Sequence, residues 1–284
     1  MIQANTEILH RSDSYRILNY KCYCDICSLS EPEYNNSFCV SFIRKGFFEY
    51  RVFRHQYEAH AGRLLISKPA YEHRARHIDD QPDVTTVFEF KPEFFDLLKE
   101  QYRASAGWFL DNNDLHALLL TCSIESDWLH HHILEIVQSK RKIGLQIDEL
   151  VISLLHQIFS VMQPVDDLPL LNDQFKKYHL ATVEQASEYI RSNFADDISL
   201  QSLARHCHVS PFHFSRIFKA ALDISPHQFL LQTRLQQAKW LVTNSSKPVN
   251  DIAFECGFNS VEHFVTAYRQ QFQISPTNHR RQLA

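Results

Sequence analysis

The side chains able to do chemistry lie in two groups. Cys22, Cys24 and Cys27 form a Cys-x-Cys-x-x-Cys run, and thiolates at such spacing suit a soft metal ion or a redox switch. Farther along, His55, His60, Glu72, His73 and His77 offer imidazole and carboxylate, the donor types of a metal centre. Two features count against metal chemistry. On a strand, Cys22 and Cys24 share one face while Cys27 takes the other, and small thiols are commonly buried as packing. The five histidine and glutamate positions contain no His-x-His pair. His130, His131 and His132 point three ways around a helix, so they read as surface. No bound cofactor, no metal and no catalytic site are expected.

The second group is repeated. His213-Phe214, Phe218-Lys219 and Ile224-Ser225-Pro226 recur as His263-Phe264, Tyr268-Arg269 and Ile274-Ser275-Pro276, an offset of 50 residues; Leu203-Ala204 and Cys207 recur as Ile252-Ala253 and Cys256 at an offset of 49. The one-residue slip falls between two helices, where a turn absorbs it. Each copy reads as helix, turn, helix. In the first, Leu200 to His206 is followed by a turn, then Ser210 as N-cap with Pro211 at the first helical position. Phe214, Ile217, Phe218 and Ala221 face inward, leaving Phe212, Ser215, Arg216 and Lys219 outward. In the second, Gly257 suits a turn of positive φ and Ser260 caps the next helix. There Glu262, Val265, Thr266 and Arg269 face outward, although an acid such as Glu262 in a first turn is favoured by the helix dipole alone. Pro226 to Val242 forms a connecting helix between the copies.

These groups must be held by larger elements. A chain of 284 residues suggests two domains. Hydrophobic residues at 44% and charged residues at 22% give an ordinary globular balance and exclude a mainly disordered chain. The most apolar stretch, Leu150 to Met162, is interrupted by polar residues and is too short to span a bilayer. No export signal is read in Met1 to Arg11, and seven cysteines do not make a disulfide scaffold, so a cytoplasmic protein with reduced thiols and no membrane contact is expected. The net charge of -4 divides unevenly: residues 175–284 carry 12 Lys and Arg against 8 Asp and Glu, and residues 1–174 carry 17 against 25. A basic back half suits contact with nucleic acid.

Ser37–Ile43 and Phe47–Phe53 read as a hairpin closed by Arg44-Lys45-Gly46, with further strands at Gly62–Ser67 and Val84–Phe90. Such spacing suggests a small barrel or sandwich. Phe38, Val40, Phe42 and Tyr50, with Val52, Ile66 and Phe88, either line a barrel for an apolar small molecule or fill an ordinary core. A helix over 147–162 carries two apolar stripes, Ile147/Val151/Leu154/Ile158 and Ile152/Leu155/Phe159/Met162. One stripe would meet the barrel and the other a partner chain. Gln163 to Pro169, with two prolines, reads as linker.

Ile198-Ser-Leu-Gln-Ser-Leu-Ala-Arg-His-Cys207, Ser210-Pro-Phe-His-Phe-Ser-Arg-Ile-Phe-Lys219, Arg234-Leu-Gln-Gln-Ala-Lys-Trp-Leu241 and Asp251-Ile-Ala-Phe-Glu-Cys-Gly-Phe-Asn-Ser260, followed by Phe264 and Pro276, resemble the AraC/XylS family of bacterial transcription regulators over about 100 residues. The resemblance implies an α+β protein. Residues 1–163 would be a cupin-like β-barrel with dimerisation helices that binds an effector, 164–178 a linker and 179–284 the DNA-binding domain, with helix-turn-helix units at about 200–221 and 249–272 joined by the helix 226–242. It implies double-stranded DNA as partner, a homodimer, and RNA polymerase if the protein activates, which members do more often than they repress. Arg216 sits where the family reads bases, Phe212 would press a thymine methyl, Ser215 would reach a base edge and Lys219 a phosphate. The second copy departs from the pattern: Val265 and Thr266 stand at the positions of Ser215 and Arg216, which implies looser reading there with Arg269 as the chief cation. Two competing functions are a cupin-type metalloenzyme with a DNA-binding tail and a thiol- or metal-sensing regulator using Cys22, Cys24 and Cys27.

Overall fold

The central strands of the first half, at Phe38–Lys45, Phe47–Val52 and Arg63–Ser67, are mostly buried on both faces, and that decides how they assemble. The computed structural model describes residues 4–22, 28–77, 83–139, 144–160, 162–164 and 173–283. Cys24, Cys27 and most of the linker expected at 164–178 lie outside the described residues. Contacts divide the chain into Met1–Ala181 and Thr182–Ala284.

In the first unit, β1 (Ala4–Arg11), β2 (Tyr15–Cys22), β4 (Phe38–Lys45), β7 (Arg63–Ser67), β9 (Val84–Phe90) and β10 (Ala117–Thr121) form an antiparallel sheet in the order β1-β2-β9-β4-β7-β10. A second sheet runs β3 (Glu33–Tyr34), β8 (Glu72–His77), β5 (Phe47–Val52) and β6 (His55–His60). The strands thus form two sheets and not one closed barrel.

The hairpin expected across Arg44-Lys45-Gly46 is not formed. Strand β4 pairs with β7 and β9, and β5 with β6 and β8. Each is largely buried and takes an interior position in its own sheet, so the short connection serves as a corner between sheets. Gly46 at φ 84° makes that corner, and Gly62 at φ 86° makes the one between β6 and β7.

Helices α1 (Pro92–Gln101), α2 (Arg103–Leu110), α3 (Ile124–Gln138) and α4 (Gly144–Phe159) complete this unit. Phe38 stacks on Phe95 of α1 at 4.4 Å and meets Phe159 of α4 at 6.1 Å; Phe42 stacks on His130 of α3 at 4.3 Å. His130 is therefore core and not surface. It also shares a side of α3 with Asp127, because residues three apart on a helix are neighbours.

The second stripe of α4 needs no partner chain. Leu155, Phe159 and Met162 are buried within this unit, with Phe159 against Phe38 and Tyr102, and only Ile152 of that stripe is exposed. No helix among the described residues is long and apolar enough to cross a membrane.

Between the two sheets lies a cavity of about 380 Å³. Its walls include Cys39, Ser41, Ser67 and Thr85 from the larger sheet and Tyr50 and His73 from the smaller. Of the seven residues read as lining a cavity or filling a core, only Tyr50 borders the cavity, and Phe38, Val40, Phe42, Val52, Ile66 and Phe88 are core. Phe38, Val40 and Phe42 alternate with Cys39 and Ser41 on β4, so they point to the opposite face, under the helices.

Candidate nucleic-acid interface

The second unit is built from capped helices. α5 (Asp173–Asn193) leads into it, followed by α6 (Leu200–His206), α7 (Pro211–Leu222), α8 (Pro226–Asn244), α9 (Val249–Glu255), α10 (Val261–Phe272) and α11 (Pro276–Leu283). Helices α6, α7, α8 and α10 each start on a serine, whereas α9 starts after Pro248 without a side-chain cap. Ser199 and Ser202 form a reciprocal capping box, as do Ser225 and Gln228. Ser210 accepts from the His213 amide at 3.3 Å and Ser260 from that of His263 at 3.1 Å. Such caps satisfy amides the helix leaves open and contribute about 1 kcal/mol each. The ends also correspond: Asp223 closes α7 at φ 61° and Gln273 closes α10 at φ 57°, at the same 50-residue offset.

In the first repeat, α6 and α7 pack through Leu203, Ala204, Phe214, Ile217 and Phe218, all buried, with Phe218 edge-on to Phe229 of α8 at 5.6 Å. In the second, Ile252, Ala253, Cys256, Phe258, Phe264 and Tyr268 form one cluster with Leu235, Ala238 and Val242 of α8. Helix α8 therefore serves both cores. It is 19 residues long, two more than the expected Pro226–Val242, or about 28 Å at 1.5 Å per residue.

Packing those faces inward fixes what remains outside. On α7, Arg216 and Lys219 are exposed and Ser215 is half-buried. Phe212 is 94% exposed, so it does not cover its own domain. The Arg216 guanidinium lies 3.5 Å from His213 Nδ1. On α10, Glu262, Thr266 and Arg269 are exposed. Val265, expected to point outward, is half-buried against the second core, because its position borders the Phe264–Tyr268 stripe.

Two arginines that sequence reasoning did not single out have structural tasks. Arg234 Nε and Nη2 donate to the Phe194 and Asp196 carbonyls at 2.7 and 2.8 Å, just beyond the end of α5. Arg280 on α11 donates to the Val242 and Lys247 carbonyls at 3.0 and 2.7 Å. These guanidiniums close helix ends and leave the exposed cations of α7 and α10 to face a ligand. Helix α11 was also missed, although Ser275-Pro276 repeats the Ser225-Pro226 signal that starts α8. Burial pushes the Cys256 thiol up to about 12 and raises that of Cys207, so both act as packing rather than as nucleophiles.

Two helix-turn-helix units in tandem, sharing one connecting helix, define this part of the chain. Residues 203–282 match the family model described as a helix-turn-helix domain. The regulatory protein PocR of Salmonella typhimurium is 30% identical over 37% of this chain and 35% of its own length. The HTH-type transcriptional regulator YdeC of Bacillus subtilis is 22% identical over 84% of this chain and 82% of its own. A solved AraC-type transcriptional regulator from Chromobacterium violaceum is 32% identical over 37% of this chain and 93% of that chain, with a TM-score of 0.35. Where identity reaches 30–35%, the chain spans about a third to a half of the length of the curated relatives it matches. Residues 203–282 are thus a helix-turn-helix domain of the AraC type.

Proposed function

We propose that the protein is a sequence-specific DNA-binding transcription regulator, in which α7 and α10 enter successive major grooves on one face of the duplex. The observation that carries this reading is the outward face of α7. Phe212, Arg216 and Lys219 stand exposed on a helix whose other side is locked into a core. An arginine so placed reads guanine bidentately, worth about 1–3 kcal/mol against a wrong base, while a lysine neutralises phosphate. Phe212, free of its own core, meets a thymine methyl, and Ser215 reaches a base edge. Glu262, Thr266 and Arg269 give α10 one cation and no bidentate reader, with Val265 half-turned to the core, so the second half-site is read loosely.

The first unit is the regulatory part, a cupin-like pair of sheets whose cavity takes a small-molecule effector. Activation through RNA polymerase and a homodimer complete the proposal. The test is selection of genomic fragments by the purified chain at physiological salt, because phosphate-only binding weakens steeply there. A two-part motif with parts about 34 Å apart, one sharp and one loose, supports the reading. No enrichment, with or without cell extract supplying an effector, overturns it.

A further inference from the structure

Two features that the sequence presents separately meet at the cavity between the sheets. Cys22 opens the Cys-x-Cys-x-x-Cys run and ends β2; His77 closes the histidine-rich stretch and ends β8; Asp83 immediately precedes β9. The Cys22 Sγ lies 3.6 Å from His77 Nδ1. His77 Nε2 is hydrogen-bonded to Asp83 Oδ1, and the other oxygen of that carboxylate accepts from Thr85 Oγ1 at 3.1 Å. The Cys22 amide donates to the Asp83 carbonyl at 3.1 Å, which pins the two segments together. All three side chains border the cavity, and Cys22 and Asp83 are 1% and 4% exposed.

We propose that Cys22, His77 and Asp83 bind a divalent transition-metal ion of the Zn²⁺ class, with the remaining coordination position open to the cavity. Bonds of about 2.3 Å to sulfur and 2.0–2.1 Å to nitrogen at a tetrahedral angle place those two ligands about 3.6 Å apart. That is the Cys22–His77 separation. One ligand atom from each of the three residues lies within 4.8 Å of the others. Asp83 bonds Nε2, the ring nitrogen other than the one facing Cys22, so its carboxylate joins the shell by leaving that hydrogen bond and turning toward the ion at Nδ1.

The donor set of thiolate, imidazole and carboxylate selects a borderline metal over Mg²⁺ or Ca²⁺, which take oxygen shells. His77 faces the Asp83 carboxylate as an ion pair. A divalent ion bound by these residues displaces protons as it binds. Three protein ligands with one open position is the arrangement in which the ion also takes a ligand from the cavity.

The test uses the full chain, reduced and freed of metal by chelation, titrated with Co²⁺ and then Zn²⁺ in the absence of DNA. Failure of the DNA-binding reading therefore leaves the result unaffected. The expected result is one Co²⁺ per chain, with a thiolate-to-cobalt charge-transfer band and the intense d–d absorption of a tetrahedral site, displaced by Zn²⁺. Cys22→Ser abolishes the charge-transfer band. His77→Gln and Asp83→Asn each weaken binding by about tenfold or more while far-ultraviolet circular dichroism stays unchanged. No charge-transfer band in the unaltered chain overturns the proposal. So does a band that survives Cys22→Ser or His77→Gln but vanishes with Cys24→Ser or Cys27→Ser.

Discussion

The turn inside each helix-turn-helix unit must pass through the left-handed backbone region, and the two copies solve this differently. His208 occupies that position in the first copy at φ 56°, and Gly257 occupies it in the second at φ 80°. The glycine is needed for a second reason. A Cβ at 257 would stand 2.6 Å from the Ala195 carbonyl oxygen and 2.9 Å from the Ala195 Cα. Both are backbone atoms and have no rotamer to swing away. Gly257→Ala therefore costs about 1–2 kcal/mol for the left-handed conformation and about 1–3 kcal/mol for the displacement, together about 2–5 kcal/mol. A domain of roughly 100 residues loses about 4–8 °C per kcal/mol, so the melting of the Thr182–Ala284 unit should fall by at least about 8 °C. Calorimetry of the full chain reads the fall, and hydrogen exchange in α9 and α10 assigns it to this unit. His208→Gly provides the contrast. It relieves left-handed strain but adds chain entropy, and the two offset to within about 1 kcal/mol. A Gly257→Ala loss below about 1 kcal/mol, or a loss equal to that of His208→Ala, would refute the close-approach argument.

Arg216→Ala should weaken binding to a selected operator by about 5- to 150-fold and blur one half-site, with little change on random DNA, as read by titration on both. Lys219→Ala should weaken binding to all sequences alike and lower the salt slope by about 1. Lys68 is pushed down to about 8 by burial, with its Nζ 4.7 Å above the Phe109 ring. The unfolded chain then holds this proton to higher pH than the folded one, so stability of the first unit should rise as pH climbs from about 8 to 10.5. Lys68→Met should abolish that slope in urea unfolding curves. Burial holds the Cys39 and Cys256 thiols up at about 12. Iodoacetamide at pH 8 should leave both unmodified in the native chain and alkylate both in urea, as resolved by peptide mass spectrometry.

The helical half was legible in the sequence because its signals are local. Ser210-Pro211, Gly257 and Ser260 each act within one turn of the residue that carries them, and the stripe Phe214, Ile217, Phe218 follows from helical period alone. The sheets were not, because β4 has apolar residues on both faces: Phe38, Val40 and Phe42 on one, Ile43 and Cys39 on the other. Alternation cannot then say which set meets helices and which meets the cavity, and a shift of one residue exchanges them. The same ambiguity hid the corner at Gly46, since two long apolar strands around a short loop look alike whether they pair or diverge. What separates the outcomes is pairing with β7 and β9 across the chain. The contacts that join Cys22, His77 and Asp83 depend on that long-range pairing too. The sequence shows those donor atoms 55 and 61 residues apart, and only the order β2-β9 in one sheet, facing β8 in the other, brings them to one cavity wall.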